Sequence, residues 1–327
     1  MDRLEYLRPE WSKSGLIHLQ TRIQIAQDRG SRLACKFFLS TVFSIRKGFC
    51  NRFQIIIQRC HRLPHSIDID EGRAIGCHTA LWDFDLSQYH PWVSSIQDQL
   101  APISTEAYLP IDGINYGLGL HDSSAALVPY LRSISDEFVL LSTGTWCIAM
   151  HPFNESPLSA EELAEDVLCY LQPNGKPVKA SRLFGGYFHE EQVSRMEAHF
   201  GGSYKDLTFS ERVFSLSSRS SSVFDCAFAS RDLHDFPDLA SAYDQFMVDL
   251  VGQQLRSLDL LLKDAPVKQL LVDGGFSKNE WYMRLLAHAL PEVEVYAAEV
   301  AQASALGAAL MVYEGETPKN LIQLKRF

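Results

Sequence analysis

From Gly76 onward, short apolar runs alternate with stretches whose apolar residues recur every three or four positions. The first kind of pattern predicts strands and the second predicts helices with one buried face. Residues 114–119 (Ile-Asn-Tyr-Gly-Leu-Gly) read as a strand broken by glycines, and Ser123 to Leu131 carries small and apolar residues at helical spacing. Phe138–Ser142 and Trp146–Met150 read as two strands joined by Thr143-Gly144-Thr145, a tight hairpin. Ser215 to Ser222 is serine-rich and reads as a surface loop. Leu239, Tyr243, Phe246, Leu250, Val251, Leu255 and Leu258 then form one apolar stripe, which predicts a long helix facing the core. A strand at Gln269–Val272, a helix from about Lys278 to Leu290, a strand at Val293–Ala297 and a small-residue helix from Ala303 to Val312 follow. Gly307-Ala-Ala in the last of these predicts close packing against a strand or a ligand loop. Strands alternating with helices predict an α/β layer architecture.

Composition narrows the class without naming it. A chain of 327 residues can bury the cores of two domains, and 46% hydrophobic and 21% charged residues are ordinary for a globular protein. The formal net charge of −10 argues against a general nucleic-acid binder, since a phosphate backbone requires a positive field; a single nucleotide needs only local donors. No apolar run approaches the length of a membrane span, and Met1-Asp-Arg-Leu-Glu-Tyr6 lacks the apolar core of a signal peptide. The seven cysteines are scattered, without a Cys-x-x-Cys pair, so neither a zinc site nor a disulfide scaffold is suggested. A reducing cytoplasm is the simplest compartment.

Residues 1–75 differ from this texture. Between Ser31 and Pro64 stand seven basic residues and no acidic ones, together with three of the seven cysteines. A basic patch for phosphate or nucleic acid is one reading; a basic helical face is another, but it explains neither the cysteines nor the lack of acids. The preferred reading is sequence foreign to the remainder, as after a reading-frame change or a truncation, which sequencing the locus would test. Downstream, Cys77-His-Thr-Ala-Leu-Trp-Asp-Phe-Asp85 and Tyr89-His-Pro-Trp92 form an aromatic-rich stretch suited to a cleft or a domain junction. His78 and His90 are candidates for a substrate hydroxyl, with satisfied structural histidines as the alternative.

Three strand-to-loop transitions can hold charge. Leu270-Leu-Val-Asp-Gly-Gly-Phe-Ser-Lys-Asn279 ends a strand at Gly274-Gly275 and feeds a helix, so its backbone N–H groups can approach a ligand at the positive end of the helix dipole. Ser142-Thr-Gly-Thr145 offers hydroxyls and consecutive N–H groups, a nest suited to phosphates; a plain hairpin with Gly144 at positive φ is the alternative. Asp122 stands where a strand ends and a helix begins. Its carboxylate can take the proton of a hydroxyl attacking phosphorus, or simply cap the helix. No GxxxxGK[ST] loop and no GxSxG elbow occurs, which sets aside P-loop enzymes and weakens serine hydrolase chemistry.

In order, His-Asp-Ser-Ser-Ala-Ala126, Ser-Thr-Gly-Thr-Trp146, Val-Asp-Gly-Gly-Phe-Ser-Lys-Asn279 and Ala-Ser-Ala-Leu-Gly-Ala-Ala-Leu310 resemble the C-terminal half of FGGY-family carbohydrate kinases. The likeness spans about Gly76 to Glu314 and is greatest to ketose kinases of the rhamnulokinase and fuculokinase kind. It implies an actin-like, ribonuclease-H-like α/β fold with two domains around a cleft: an incomplete N-terminal domain over 1–112 and a nucleotide-binding domain over 113–327. It implies phosphoryl transfer from ATP to a sugar hydroxyl, with Asp122 as general base and His78 and His121 on the sugar. Thr143, Gly144 and Thr145 would cradle phosphates, Gly274 and Gly275 would lie against adenosine, Asn279 would sit near adenine, and Gly307 would pack at the pocket edge. Mg²⁺ would be held largely through phosphate and water. The family's N-terminal Asp-Ile-Gly-Thr-like phosphate loop has no counterpart in this sequence, so a catalytically impaired nucleotide- or sugar-binding remnant is the alternative. An actin-like or chaperone-type ATPase would share the fold but has no use for a sugar-activating base at Asp122. A homodimer is compatible with this reading.

Overall fold

In a computed structural model, the described residues are 82–84, 86, 88–95, 108–111, 114–117, 122–172, 174–219, 223–300, 302–313, 315, 317 and 321–327. The basic segment 31–64, His78 and His121 lie outside them.

Among the described residues two short hairpins come first. Strands β1 (Trp82–Asp83) and β2 (Gln88–Tyr89) pair antiparallel, with Trp82 and Tyr89 packed edge to face. Strands β3 (Tyr108–Ile111) and β4 (Ile114–Gly117) form the second. His90 lies 3.4 Å from Asp83, an ordinary local ion-pair geometry.

The main body follows as helix α1 (Asp122–Ser133), strands β5 (Phe138–Thr143) and β6 (Cys147–His151), short helix α2 (Ala160–Ala164), and strands β7 (Leu168–Leu171) and β8 (Pro177–Leu183). Helices α3 (Gly185–Phe200) and α4 (Leu239–Leu262), strand β9 (Gln269–Gly274) and helix α5 (Glu280–Ala289) come next. Strand β10 (Glu294–Glu299), helix α6 (Ala303–Met311) and strand β11 (Gln323–Arg326) complete it. Seven strands form one sheet in the order β11-β10-β9-β5-β6-β8-β7. Strands β10, β9 and β5 are mutually parallel, and the remaining pairings are antiparallel.

Both faces of this sheet are covered, and the side-chain alternation of the strands shows why. Val139 and Leu141 of β5, Leu270 and Val272 of β9 and Val295 of β10 point into one core with α3, α4 and α5. Phe138, Leu140, Leu271 and Ala298 point the other way, onto Leu127 and Tyr130 of α1 and the small residues of α6. A strand apolar on both faces reads as a continuous apolar run, which is the pattern of Phe138–Leu141 and Leu270–Val272. Helix α4 carries the predicted stripe, and its other faces are buried too. Gln245, Asp249 and Gln253, spaced by four, accept from or donate to Ser217, Arg219, Asp225, Ala227 and Arg231. This buried polar row holds the described stretches 211–219 and 223–236 against the helix and pairs backbone groups of Ser217, Arg219, Asp225 and Ala227, as burial requires.

Candidate functional site

Strands β5 and β9 end side by side, with Thr143 opposite Gly274 in the last register pair. Ligands of open α/β sheets bind at the carboxyl ends of parallel strands, where loops diverge into helices. Three loops meet there: the β5–β6 hairpin, the β9–α5 turn and the β8–α3 junction.

Thr143 builds the floor. Its Oγ1 donates to the carbonyl of Asp273 (2.5 Å) and accepts from the N–H of Phe276 (3.0 Å), so a nearly buried hydroxyl stitches the hairpin to the turn after β9. Its hydroxyl is therefore already partnered within the fold. Gly274 adopts φ 88° and ψ −150°, a region open to glycine alone, and a Cβ there would collide with the backbone of Thr143. Asp273 accepts from its own following amide, Gly274 N–H (2.6 Å), and from the Tyr130 hydroxyl of α1 (2.7 Å). Burial raises the pKa of this carboxyl, while those two donors pull it down.

Gly144 and Gly275 are glycines of a different kind. Gly144 does not have positive φ, contrary to the plain-hairpin expectation, and a Cβ on it would meet nothing closer than 3.9 Å. Around Gly275 a Cβ would meet nothing within 4 Å, and φ is again not positive. Both are exposed. Neither glycine is required by the fold, so both leave bare backbone open at the ends of adjacent parallel strands. Thr145 is exposed beside Gly144.

The third loop was not anticipated from the sequence. Leu183-Phe-Gly-Gly-Tyr-Phe188 repeats the apolar-then-Gly-Gly pattern of the β9 turn, and that repetition was the available signal. Its helix, α3, starts against the hairpin: Tyr187 N–H donates to the Thr145 carbonyl (3.2 Å), and a Cβ on Gly186 would overlap the Gly144 backbone. Phe184 stacks on Trp146 at 4.3 Å between centroids and on Tyr187 at 4.5 Å. Cys147, beneath it, is inert, because burial pushes its thiol up to about 12.

Asn279 caps α5, its Oδ1 accepting from Tyr282 N–H (3.1 Å), and its Nδ2 donates to the Tyr243 hydroxyl (2.9 Å). Asp122 is the first residue of α1 and is exposed, its Oδ1 accepting from Ser123 N–H (2.7 Å), so the carboxylate stands at the positive end of the helix. Gly307 of α6 is buried against α1, where a Cβ would sit 2.6 Å from the carbonyl carbon of Ala125. Pro129 explains why that carbonyl is available: proline at i+4 has no N–H to give it. The small-residue helix thus packs on another helix and seats the one that begins at Asp122.

Residues 231–313 match the C-terminal domain of the FGGY family of carbohydrate kinases, and residues 135–212 match the model of a carbohydrate kinase FGGY C-terminal domain. A carbohydrate kinase from Novosphingobium aromaticivorans superposes with a TM-score of 0.57 at 23% identity, covering 77% of this chain and 60% of its own. The fold is that of the FGGY sugar kinases. A ligand-bound xylulose kinase from Lactobacillus acidophilus (TM-score 0.54, 12% identity, 76% and 57% covered) and a Plasmodium falciparum glycerol kinase with ADP (0.51, 13%, 72% and 52%) share it. The mixed α/β body is therefore of the actin-like type, and the chain spans about three fifths of the length of these solved kinases or less. None of the curated proteins compared with the chain matches it.

Proposed function

We propose that this chain binds ATP at the β5, β9 and α3 loops and serves the phosphorylation of a sugar hydroxyl. The observation that carries the reading is the pair Gly144 and Gly275, whose bare backbone lies open at the ends of two adjacent parallel strands with no structural need for glycine. In this assignment the N–H groups and hydroxyl around Gly144 and Thr145 receive phosphate, as a backbone nest does. Thr143 and Gly274 hold that nest in shape, Gly275 lies against adenosine, and Asn279 presents its remaining amide hydrogen toward the base. Gly307 acts through α1. Asp122 takes the proton of the attacking sugar hydroxyl, the positioning and charge neutralisation around it supplying most of the catalysis.

Among the described residues no three His, Cys, Asp or Glu side chains cluster as a metal site. The donor set fits Mg²⁺ carried in on the phosphates, where the ion would neutralise their charge. We assign residues 113–327 to the nucleotide-binding domain and 1–112 to a partial sugar-side domain. A deoxy-ketohexose is the proposed substrate class, with a cytoplasmic site of action; no helix among the described residues is long and apolar enough to cross a membrane. A second reading, binding without turnover, draws on the family-model matches lying within 135–313, the nucleotide end.

A coupled assay of ADP release across ketoses, with Asp122→Asn beside the wild type, tests these assignments. Turnover with one sugar class, reduced at least a hundredfold in the variant with ATP affinity kept, is expected. Equal turnover in Asp122→Asn removes Asp122 as the base. ATP binding without turnover on any ketose selects the second reading.

A further inference from the structure

Between the α3 and β9 loops lies a chain of three polar groups that crosses helices. Asn279 Nδ2, at the start of α5, lies 2.9 Å from the Tyr243 hydroxyl of α4. The same hydroxyl lies 3.1 Å from His189 Nε2, in the second turn of α3. The His189 ring is boxed by Tyr204, Tyr243, Phe246 and Phe276, the last of these in the turn that follows Gly275. Tyr243 itself is fully buried.

Valence sets the direction of the first bond, and the need of the buried phenol's own hydrogen for an acceptor argues for that of the second. An amide nitrogen can only donate, so Asn279 gives a hydrogen to the Tyr243 oxygen. Its amide cannot be reversed, because Asn279 Oδ1 is committed to Tyr282 N–H as the helix cap. The buried phenol's hydrogen needs an acceptor, and the hydroxyl's other partner among the described residues is His189 Nε2. A bond from phenol to imidazole makes Nε2 the acceptor and leaves the ring proton on Nδ1. Burial holds the imidazole neutral, pushing its pKa down to about 4. Among the described residues Nδ1 has no hydrogen-bond partner, and the histidine is half-buried, its ring edge to face with Phe276 of the β9–α5 turn.

We propose that Tyr243 is a positioning residue of the nucleotide site: by bridging Asn279 and His189 it fixes the amide of one and the tautomer of the other, so that His189 presents Nδ1–H as a neutral donor to an acceptor atom of the bound nucleotide. A neutral donor recognises a phosphate or ribose oxygen without adding a charge that must be desolvated. The bridge also ties α3 to the start of α5, the two helices that follow the Gly-Gly pairs. This rests on the ATP reading above.

The test uses the full chain and two readouts. Nitrogen-15 spectra of the histidine side chains report the tautomer directly, with His189→Gln assigning the signal. Nδ1–H is expected in the wild type; an Nε2–H ring overturns the proposal whatever the variants do. Tyr243→Phe keeps the ring and removes the hydroxyl, and is expected to lose the fixed tautomer. It should weaken ATP binding in titration calorimetry about tenfold, the worth of one well-made hydrogen bond, with kcat at saturating ATP nearly unchanged. Unchanged ATP affinity in a folded Tyr243→Phe overturns the positioning role. If Tyr243→Phe does not fold, Asn279→Asp supplies the second arm: an acceptor in place of Nδ2 reverses the phenol and is expected to move the His189 proton to Nε2. A histidine proton that stays on Nδ1 there overturns the relay. A wild type that binds no ATP overturns the functional reading instead, and the tautomer measurement still decides the hydrogen-bond chain.

Discussion

Gly274→Ala separates what the fold demands from what the ligand demands. The residue has φ 88° and ψ −150°, and an alanine held there pays about 1–3 kcal/mol in backbone strain alone. The added Cβ would also stand 2.8 Å from the Thr143 carbonyl carbon and 3.0 Å from its Oγ1, with the carbonyl oxygen closer still. Those are backbone atoms of a central strand, and Oγ1 is fixed by its bonds to Asp273 and Phe276, so no flexible side chain can yield. Forcing the strands apart adds about 1–3 kcal/mol, as for other overpacked cores. A total near 4 kcal/mol is expected, which for a body of this size lowers Tm by roughly 8–16 °C. Gly275→Ala is the control, because its Cβ meets nothing and its φ is unremarkable; it should leave Tm unchanged or raise it slightly. Calorimetric scans of both, with ATP titrations at a temperature where both are folded, give a crossed result. Gly274→Ala should lose stability, and Gly275→Ala should lose ATP affinity without losing stability. A Gly274→Ala protein as stable as the wild type would refute the close approach of β5 and β9 on which the site is built.

Two further outcomes follow. Gly307→Ala gains about 1 kcal/mol of helix propensity in α6 but places a methyl 2.6 Å from the Ala125 carbonyl carbon of α1, so a net loss of about 2 kcal/mol is expected in urea titration; a gain would show that the two helices do not touch as described. His189 is neutral in the fold down to about pH 4 but takes a proton below about pH 6.5 when unfolded, so the unfolded state binds the extra proton across that window and stability falls as the pH falls through it. At about 1.4 kcal/mol per pH unit, roughly 3 kcal/mol is lost by pH 4. Unfolding midpoints of wild type and His189→Gln measured at pH 7 and pH 4.5 should converge as the pH drops, the carboxylates being common to both, and a constant gap would contradict the burial of this ring.

The strands and helices that face two cores were legible because each carries its pattern locally. Phe138–Leu141 and Leu270–Val272 are apolar on both faces, and α4 shows its stripe; observed bounds differ from expectation by a few residues, and the expected start of the helix at Lys278 is a short 3₁₀ turn before α5. Strands β7 and β8 and helix α3 were not anticipated, for physical reasons. Buried Lys179 and Ser181 break the apolar run of β8, and they are tolerated because Lys179 meets the buried Glu162 at 2.7 Å and Ser181 meets Ser257. Neither partner is visible from the local sequence. The same limit applies inside the site. Asp-Gly-Gly announces a turn near a ligand, but two glycines in a row do not say which serves the fold. Gly274 is dictated by the carbonyl oxygen of Thr143 on a strand far earlier in the chain, and Gly275 by nothing within the protein. A glycine the fold does not need, next to one it does, points outward to a ligand. That distinction is three-dimensional, and it is why the strongest argument for a nucleotide here comes from the residue that touches least.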